Sequence, residues 1–255
     1  MEQAYSKGWF ADPFILEVTN SEIVLIVEEY EYKKRKGRIS EIIVDKSNYK
    51  LKSVCPVLEK DTHLSFPYII KDESKVYVCP ENYASGGVYL YRRRDDGQLV
   101  EPIKIIDSPL VDTQFLKKDD TYYAFGVETV TGKNEESRVL KIYKSSAITK
   151  PFVFWIEIKN LFSEERGAGL IYNNDQMIIR PAQSCERSYG DSLIFYQMKI
   201  EENSVKEVLI NRLYPKMFGR YGLGLHTFNF EKGIYVVDGK DYRQYPISQI
   251  AKIFK

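Results

Sequence analysis

Cysteine is scarce. Cys55, Cys79 and Cys185 are odd in number and far apart, which excludes a disulfide framework, and no Cys-x-x-Cys pair offers a zinc site. Histidine is scarcer still. His63 and His226 stand in separate parts of the chain, without a His-x-x-x-His pair or a calcium loop, so neither a metal nor another cofactor is expected. No apolar run approaches the ~18 residues of a membrane span. Met1–Phe10 is polar and lacks the apolar region of a secretory signal. These absences predict a reduced, cytoplasmic protein without a membrane span. Excess charge is missing too. With 37 Lys and Arg against 36 Asp and Glu, the net charge of +1 gives no global field for nucleic acid or an anionic membrane. The basic run Lys33-Lys34-Arg35-Lys36-Gly37-Arg38 reads as a solvated hairpin tip. Amphipathic helices are also absent. The nearest candidate, Ile148–Asn160, contains Pro151 and is rich in β-branched and aromatic residues.

What the 255 residues do contain is 20 tyrosines, 13 phenylalanines and many short apolar runs separated by Asn, Asp, Ser and Gly turns, the signature of hairpins. The pattern restarts near Asp12, Ser65, Asp112, Ala168 and His226, a spacing of roughly 50 residues that falls in the range of propeller repeats. The expectation is an all-β fold, one five-bladed β-propeller domain spanning residues 1–255. Only 17 residues follow Asp238, short for two further strands, so the N-terminal arm is expected to complete the last blade and cover its edge.

In such a blade the first strand begins, and the second strand ends, at one mouth of the central channel. That places Asp12, His63, Ser65, Asp112 and His226 together with Glu28, Glu81, Glu128, Arg180, Gln183 and Asp238. Trp9, Tyr83 and Tyr189 come from flanking loops, as does Glu186 in the stretch Arg180–Gly190. Carboxylates and amides accept hydroxyl hydrogen bonds and aromatics cover apolar sugar faces, so the mouth suits a polyhydroxylated ligand. Paired carboxylates can also divide acid and base roles. Each residue has a plainer reading: a carboxylate that caps a turn, a histidine that only bonds its surroundings, or an Arg180 that pairs with a buried acid.

The motifs Ala11-Asp12-Pro13-Phe14, His63-Leu64-Ser65-Phe66-Pro67, Pro80-Glu81, Val111-Asp112, Arg166-Gly167-Ala168-Gly169 and Arg180-Pro181-Ala182-Gln183 with Tyr189-Gly190 occur in the order of one family. The chain resembles the N-terminal domain of plant glucosamine inositolphosphorylceramide transferases and its bacterial relatives, which are associated with surface-polysaccharide synthesis. More distantly it is similar to the five-bladed glycoside hydrolases of family 43. The resemblance implies Asp12 as catalytic base and Asp112 as the aspartate that tunes the acid. The acid glutamate should open the fourth blade, where this chain has Gly167 and Ala168. Glu81 is the leading substitute and Glu186 a spare. Trp9, His63, Ser65, Tyr83, Arg180, Gln183, Tyr189 and His226 would then hold a saccharide or nucleotide sugar. Two readings stand at this point. One is a glycosidase-like or glycosyl-transfer enzyme. The other is a non-catalytic sugar-binding module that partners a separate glycosyltransferase.

Overall fold

The computed structural model describes residues 5–131, 136–158, 166–174, 176–185 and 189–240. It is a five-bladed β-propeller. The first blade is β1 (Gly8–Val18), β2 (Glu22–Glu31), β3 (Lys36–Asp45) and β4 (Leu51–Leu58), hydrogen-bonded in that order. The second is β5 (Ser65–Asp72), β6 (Lys75–Glu81), β7 (Val88–Arg93) and β8 (Leu99–Ile106). The third is β9 (Val111–Lys118), β10 (Thr121–Thr131), β11 (Glu136–Ser145) and β12 (Val153–Ile158). In the fourth the first strand is broken into β13 (Arg166–Gly167) and β14 (Tyr172–Asn174), both paired with β15 (Met177–Ser184), which leads to β16 (Ser192–Ile200) and β17 (Val205–Leu213). The fifth blade consists, among the described residues, of the hairpin β18 (Gly224–Glu231) and β19 (Ile234–Lys240). Val153–Ile158 is a strand, as its β-branched and aromatic make-up dictates. No helix among the described residues is long and apolar enough to cross a membrane.

The inner strands form a ring closed by hydrogen bonds. Phe66 N–H donates to Asp12 Oδ2 at 3.0 Å, joining blades two and one. Tyr68 OH donates to Phe115 O at 2.6 Å, and Gln114 Nε2 donates to Gly169 O at 2.7 Å. Phe228 N–H donates to Ala168 O at 2.8 Å, and Asn229 Nδ2 donates to Pro13 O at 2.7 Å, which closes blade five onto blade one. Between adjacent blades lie apolar clusters. One packs Phe14 edge-on against Phe66, with ring centroids 5.1 Å apart; another sets Ile15, Val27 and Ile42 against Ile234 and Val236 of the fifth blade.

The described part of the N-terminal arm leads into blade one. Residues 8–10 are the leading end of β1, paired with β2 from Gly8 opposite Glu31, and Tyr32 N–H donates to Lys7 O at 3.1 Å. The described part of the arm therefore extends the innermost strand of blade one, and the expected completion of blade five by the arm falls on residues 1–4, which lie outside the described residues.

Three first strands open the same way. Asp12, Phe66 and Asp112 have φ of 48°, 42° and 46°, and the ladder skips register beside each of them. Such a bulge bends the strand and re-aims one side chain. Aspartate tolerates the left-handed region; a bulky Phe66 does so at a cost that its complete burial offsets. The residue equivalent to Asp12 in blade two is thus Phe66, one position beyond Ser65.

Candidate functional site

The bulges aim Asp12 and Asp112 at one mouth of the channel, and two connected clusters form around them. In the first, Asp12 Oδ1 accepts from the Thr227 hydroxyl at 2.6 Å, while Oδ2 takes the Phe66 N–H. Asp12 N–H donates to Asp238 Oδ2 at 3.0 Å, and Thr227 N–H donates to Asp238 Oδ1 at 2.8 Å. His226 Nδ1 lies 2.6 Å from Asp238 Oδ2 and 3.5 Å from Asp12 Oδ1. Burial penalises a charged His226, but the charge and contact of Asp238, joined by Asp12, outweigh it and hold the imidazole up at about 8. Burial raises Asp12 to about 6, with Asp238 and Asp112 adding to the effect and His226 opposing it. Asp238 is buried as well, yet His226 and the two backbone donors bring it below the ordinary aspartate value. Asp12, His226 and Asp238 present ligand atoms within 4.8 Å of one another, so this trio is where a cation could be held. With His226 protonated, the imidazolium itself supplies that positive charge and has no nitrogen lone pair to offer.

The second cluster is built on Asp112. Arg166, from β13, places Nε 2.7 Å from Asp112 Oδ2 and a terminal nitrogen 3.5 Å from Glu81 Oε2. Glu81 Oε2 also accepts Asp112 N–H at 3.0 Å, and Gln183 Nε2 donates to Asp112 Oδ2 at 2.8 Å. Burial, then the charge and contact of Asp112, push Glu81 well above the usual glutamate range, against the pull of Arg166. The Arg166 guanidinium lies 5.5 Å from the Tyr189 ring centre, Lys240 Nζ lies 4.2 Å from it, and His226 meets the ring at 5.3 Å between centroids. Tyr189 therefore links the two clusters and carries three cationic or polar neighbours on its ring.

A third group lines the same mouth. Glu28, only 5 % exposed, is pushed well up by burial and then by Asp12, Asp238, Glu81 and Asp112 together. Its Oε1 has no hydrogen-bond donor among the described residues, and His63 Nε2 stands 3.4 Å away. His63 accepts Gly37 N–H at Nδ1 over 2.9 Å, so the neutral ring carries its proton on Nε2, and burial lowers its pKa further. Trp9 stacks on Tyr30 at 4.8 Å with planes 8° apart, and Tyr30 leans on His63. The Trp9–Tyr30–His63 row is the aromatic wall of the mouth.

The structure thus gathers Asp12, Asp112, Glu81, Gln183, His226, Tyr189, His63 and Trp9. Ser65 pairs in register with Glu81 at the edge of the group. Tyr83 projects outward on a single turn after β6, 48 % exposed and without a described partner in the cluster. Arg180 requires correction. It is 0 % exposed, with Nε 2.6 Å from Glu207 Oε1, a terminal nitrogen 3.0 Å from Glu207 Oε2, and NH1 3.4 Å from Gln114 Oε1. Its fork is spent on Glu207 within blade four and on Gln114 of blade three, and cannot meet a ligand at the mouth. Glu128 is engaged by Lys141 and by Ser108 at 2.9 Å on the flank of blade three. Glu186, together with Glu164 and Glu165, lies outside the described residues.

Glu28 and Asp238 stand at the mouth as their second-strand ends predict, whereas Arg166 and Lys240 were not among the expected site residues. Arg166 stood in a quoted motif but was read only for the glutamate it lacks. A Cβ on Gly167 would lie 2.4 Å from Asp112 O, so β13 approaches β9 too closely for any side chain there. Ala168 beside it is fully buried.

Comparison with known proteins agrees with this architecture. A rice (Oryza sativa subsp. japonica) glucosamine inositolphosphorylceramide transferase 1 is 25% identical over 220 residues, which is 82% of this chain and 29% of the rice protein. The Arabidopsis thaliana protein of the same name is 26% identical over 141 residues, 52% of this chain and 18% of its own length. The chain therefore spans less than a third of these plant relatives. Among solved structures, an α-L-arabinanase from Cellvibrio cellulosa complexed with arabinohexaose matches with a TM-score of 0.56 and 16% identity, over 79% of this chain and 77% of that one. A Bombyx mori family 32 β-fructofuranosidase matches with a TM-score of 0.60 and 12% identity, over 94% and 56%. At such identities the likeness concerns the fold. The family model of the N-terminal region of glucosamine inositolphosphorylceramide transferase 1 matches residues 1–220, and this chain belongs to that family.

Proposed function

We propose that this propeller is a saccharide-binding module that works beside a separate glycosyl-transfer unit, and that it does not hydrolyse glycosides. The observation that carries this reading is Arg166. Hydrolysis needs a carboxylic acid placed over the leaving oxygen. Here the corresponding strand offers Gly167 and Ala168, with no room for a side chain at Gly167, and a guanidinium bridges the two carboxylates nearest to it. The other parts suit binding. Trp9 and Tyr30 offer a stacked apolar wall for a sugar face. Asp12, Asp238 and Asp112 are held rigidly by protein donors, which orients their remaining lone pairs. The ligand class is a glycoside or an activated sugar. A cytoplasmic setting, part of the same proposal, favours glycan building or modification over digestion of an external polymer.

One observation favours a second reading. Burial and Asp112 push Glu81 well above the usual glutamate range, and Asp12 sits near 6, so two carboxyl groups suited to divide acid and base roles share the mouth. In that reading Asp12 is the base, Glu81 the acid and Asp112 the tuner of a carbohydrate-active enzyme. The two are separated by titrating wild type, Asp12→Asn and Glu81→Gln with a panel of glycosides and nucleotide sugars while following turnover. The binding reading expects saturable binding and no turnover in wild type. Turnover abolished by either substitution, with binding kept, would replace it with the enzyme.

A further inference from the structure

We propose a second ligand site at the opposite mouth of the channel, taking a small amphiphile: an apolar chain that ends in a carboxylate or a phosphate. β5 and β9 run from the acidic mouth at Ser65 and Val111 to the far end at Lys71 and Lys117, and there a cavity of about 260 Å³ opens between the blades. Its walls include Ile15, Ile70, Leu170 and Ile171, one residue or more from each of blades one, two and four. The cause is the break in blade four. Gly169, at φ +129°, presses its backbone against Phe228 O, where a Cβ would come within 1.9 Å. Ile171 N–H then leaves its own blade to donate to Tyr68 OH at 3.2 Å. Residues 168–171 are drawn across the channel instead of down it, and the side chains of Leu170 and Ile171 become cavity wall.

The chemistry of the lining selects the ligand. The Tyr68 hydroxyl in the wall is already satisfied by Phe115 O and Ile171 N–H. A water placed inside would find few partners. An apolar cavity of ~150 Å³ accepts benzene, so by volume this pocket accommodates roughly ten non-hydrogen atoms. Among the described residues, the charged ones in the lining are Lys71 and Lys117, and no carboxylate lines it. Lys71 is shared with Glu231 at 3.1 Å. Lys117 is freer, 3.8 Å from Asp72 and over the face of Tyr122, and its side chain is more than half exposed at the rim. An anionic head at Lys117 with its chain among Ile15, Ile70, Leu170 and Ile171 satisfies both halves of the site. This site is independent of the saccharide reading, since it shares no residue with the acidic mouth.

The test is calorimetric titration of the full chain with octanoate, octyl phosphate and the neutral octanol at low ionic strength. Saturable binding of either anion, at least five-fold tighter than octanol, is expected, and the anion preferred assigns the head group as carboxylate or phosphate. Leu170→Trp fills the cavity and abolishes binding of all three; Ile171→Trp does the same and serves where Leu170→Trp folds poorly. Lys117→Gln removes the preference for the anion and keeps octanol binding. The proposal is overturned if neither anion binds wild type saturably, if binding survives both tryptophan variants, or if octanol binds as tightly as the anions.

Discussion

Arg166 Nε lies 2.7 Å from Asp112 Oδ2, and the same guanidinium reaches Glu81 Oε2 at 3.5 Å. The pair joins the first strands of blades three and four across the mouth and puts a fixed cation beside Asp112 and Glu81. Removing the cation leaves two buried carboxyl groups facing each other. Arg166→Gln is therefore expected to destabilise the fold by about 3 kcal/mol and to raise Glu81 further. Denaturant unfolding at neutral pH checks it, and a change below about 1 kcal/mol would mean that the bridge is solvated and not structural.

Arg180 supplies a sharper contrast. Its ion pair with Glu207 is sealed inside blade four. Breaking one partner of such a pair costs ~3–5 kcal/mol, whereas replacing both by apolar residues is often close to neutral. Arg180→Met alone should be severely destabilised, and Arg180→Met with Glu207→Leu should recover most of the loss. Saccharide binding by the double variant should match wild type. A double variant that folds well but has lost binding would return Arg180 to the ligand site.

The cluster of His226, Asp12 and Asp238 makes stability pH-dependent with a defined sign. His226 is raised from 6.5 to about 8 on folding, so its contribution is fully present below pH 6.5 and is lost as pH rises through about 8. A shift of that size corresponds to roughly 2 kcal/mol. Asp12, raised to about 6, acts in the same direction at lower pH, between its unfolded value and about 6. Thermal unfolding of wild type should thus show a falling midpoint from pH 6.5 to 8.5, and His226→Asn should flatten that slope. A midpoint that rises across this window in wild type would contradict the assignment of a protonated His226.

Gly169 tests the broken strand. Its φ of +129° and the 1.9 Å approach that a Cβ would make to Phe228 O leave no room for alanine. Gly169→Ala should cost at least about 2 kcal/mol, because both the backbone strain and the contact with blade five must relax. Equal stability by denaturant unfolding would show that residues 168–171 can be re-routed.

The fold was legible because its signals are local. Runs such as Ile23–Val27 between the turns at Thr19–Ser21 and at residues 32–35 specify hairpins by themselves, and their repetition near Asp12, Ser65 and Asp112 specifies blades. Asp12, Asp112 and His226 followed from the repeat, since each opens a first strand. What stayed hidden depends on distant pairing. Nothing near Arg180 shows that Glu207, 27 residues on, waits across the sheet to bury it. Nothing near Arg166 shows that Asp112 and Glu81 close around it from two other blades. The one-residue difference between Ser65 and Phe66 reflects a bulge, which alternation alone cannot place.

The central claim is that the acidic mouth binds a saccharide without cleaving it. The most direct measurement is a proton NMR titration of wild type with glycosides and nucleotide sugars, in which line broadening and anomeric signals are followed in the same samples over a day. The account predicts saturable broadening for at least one ligand, weakened about five-fold by Trp9→Ala through loss of roughly 1 kcal/mol of stacking, with anomeric signals unchanged throughout. New anomeric signals that appear with wild type and fail to appear with Asp12→Asn would contradict it.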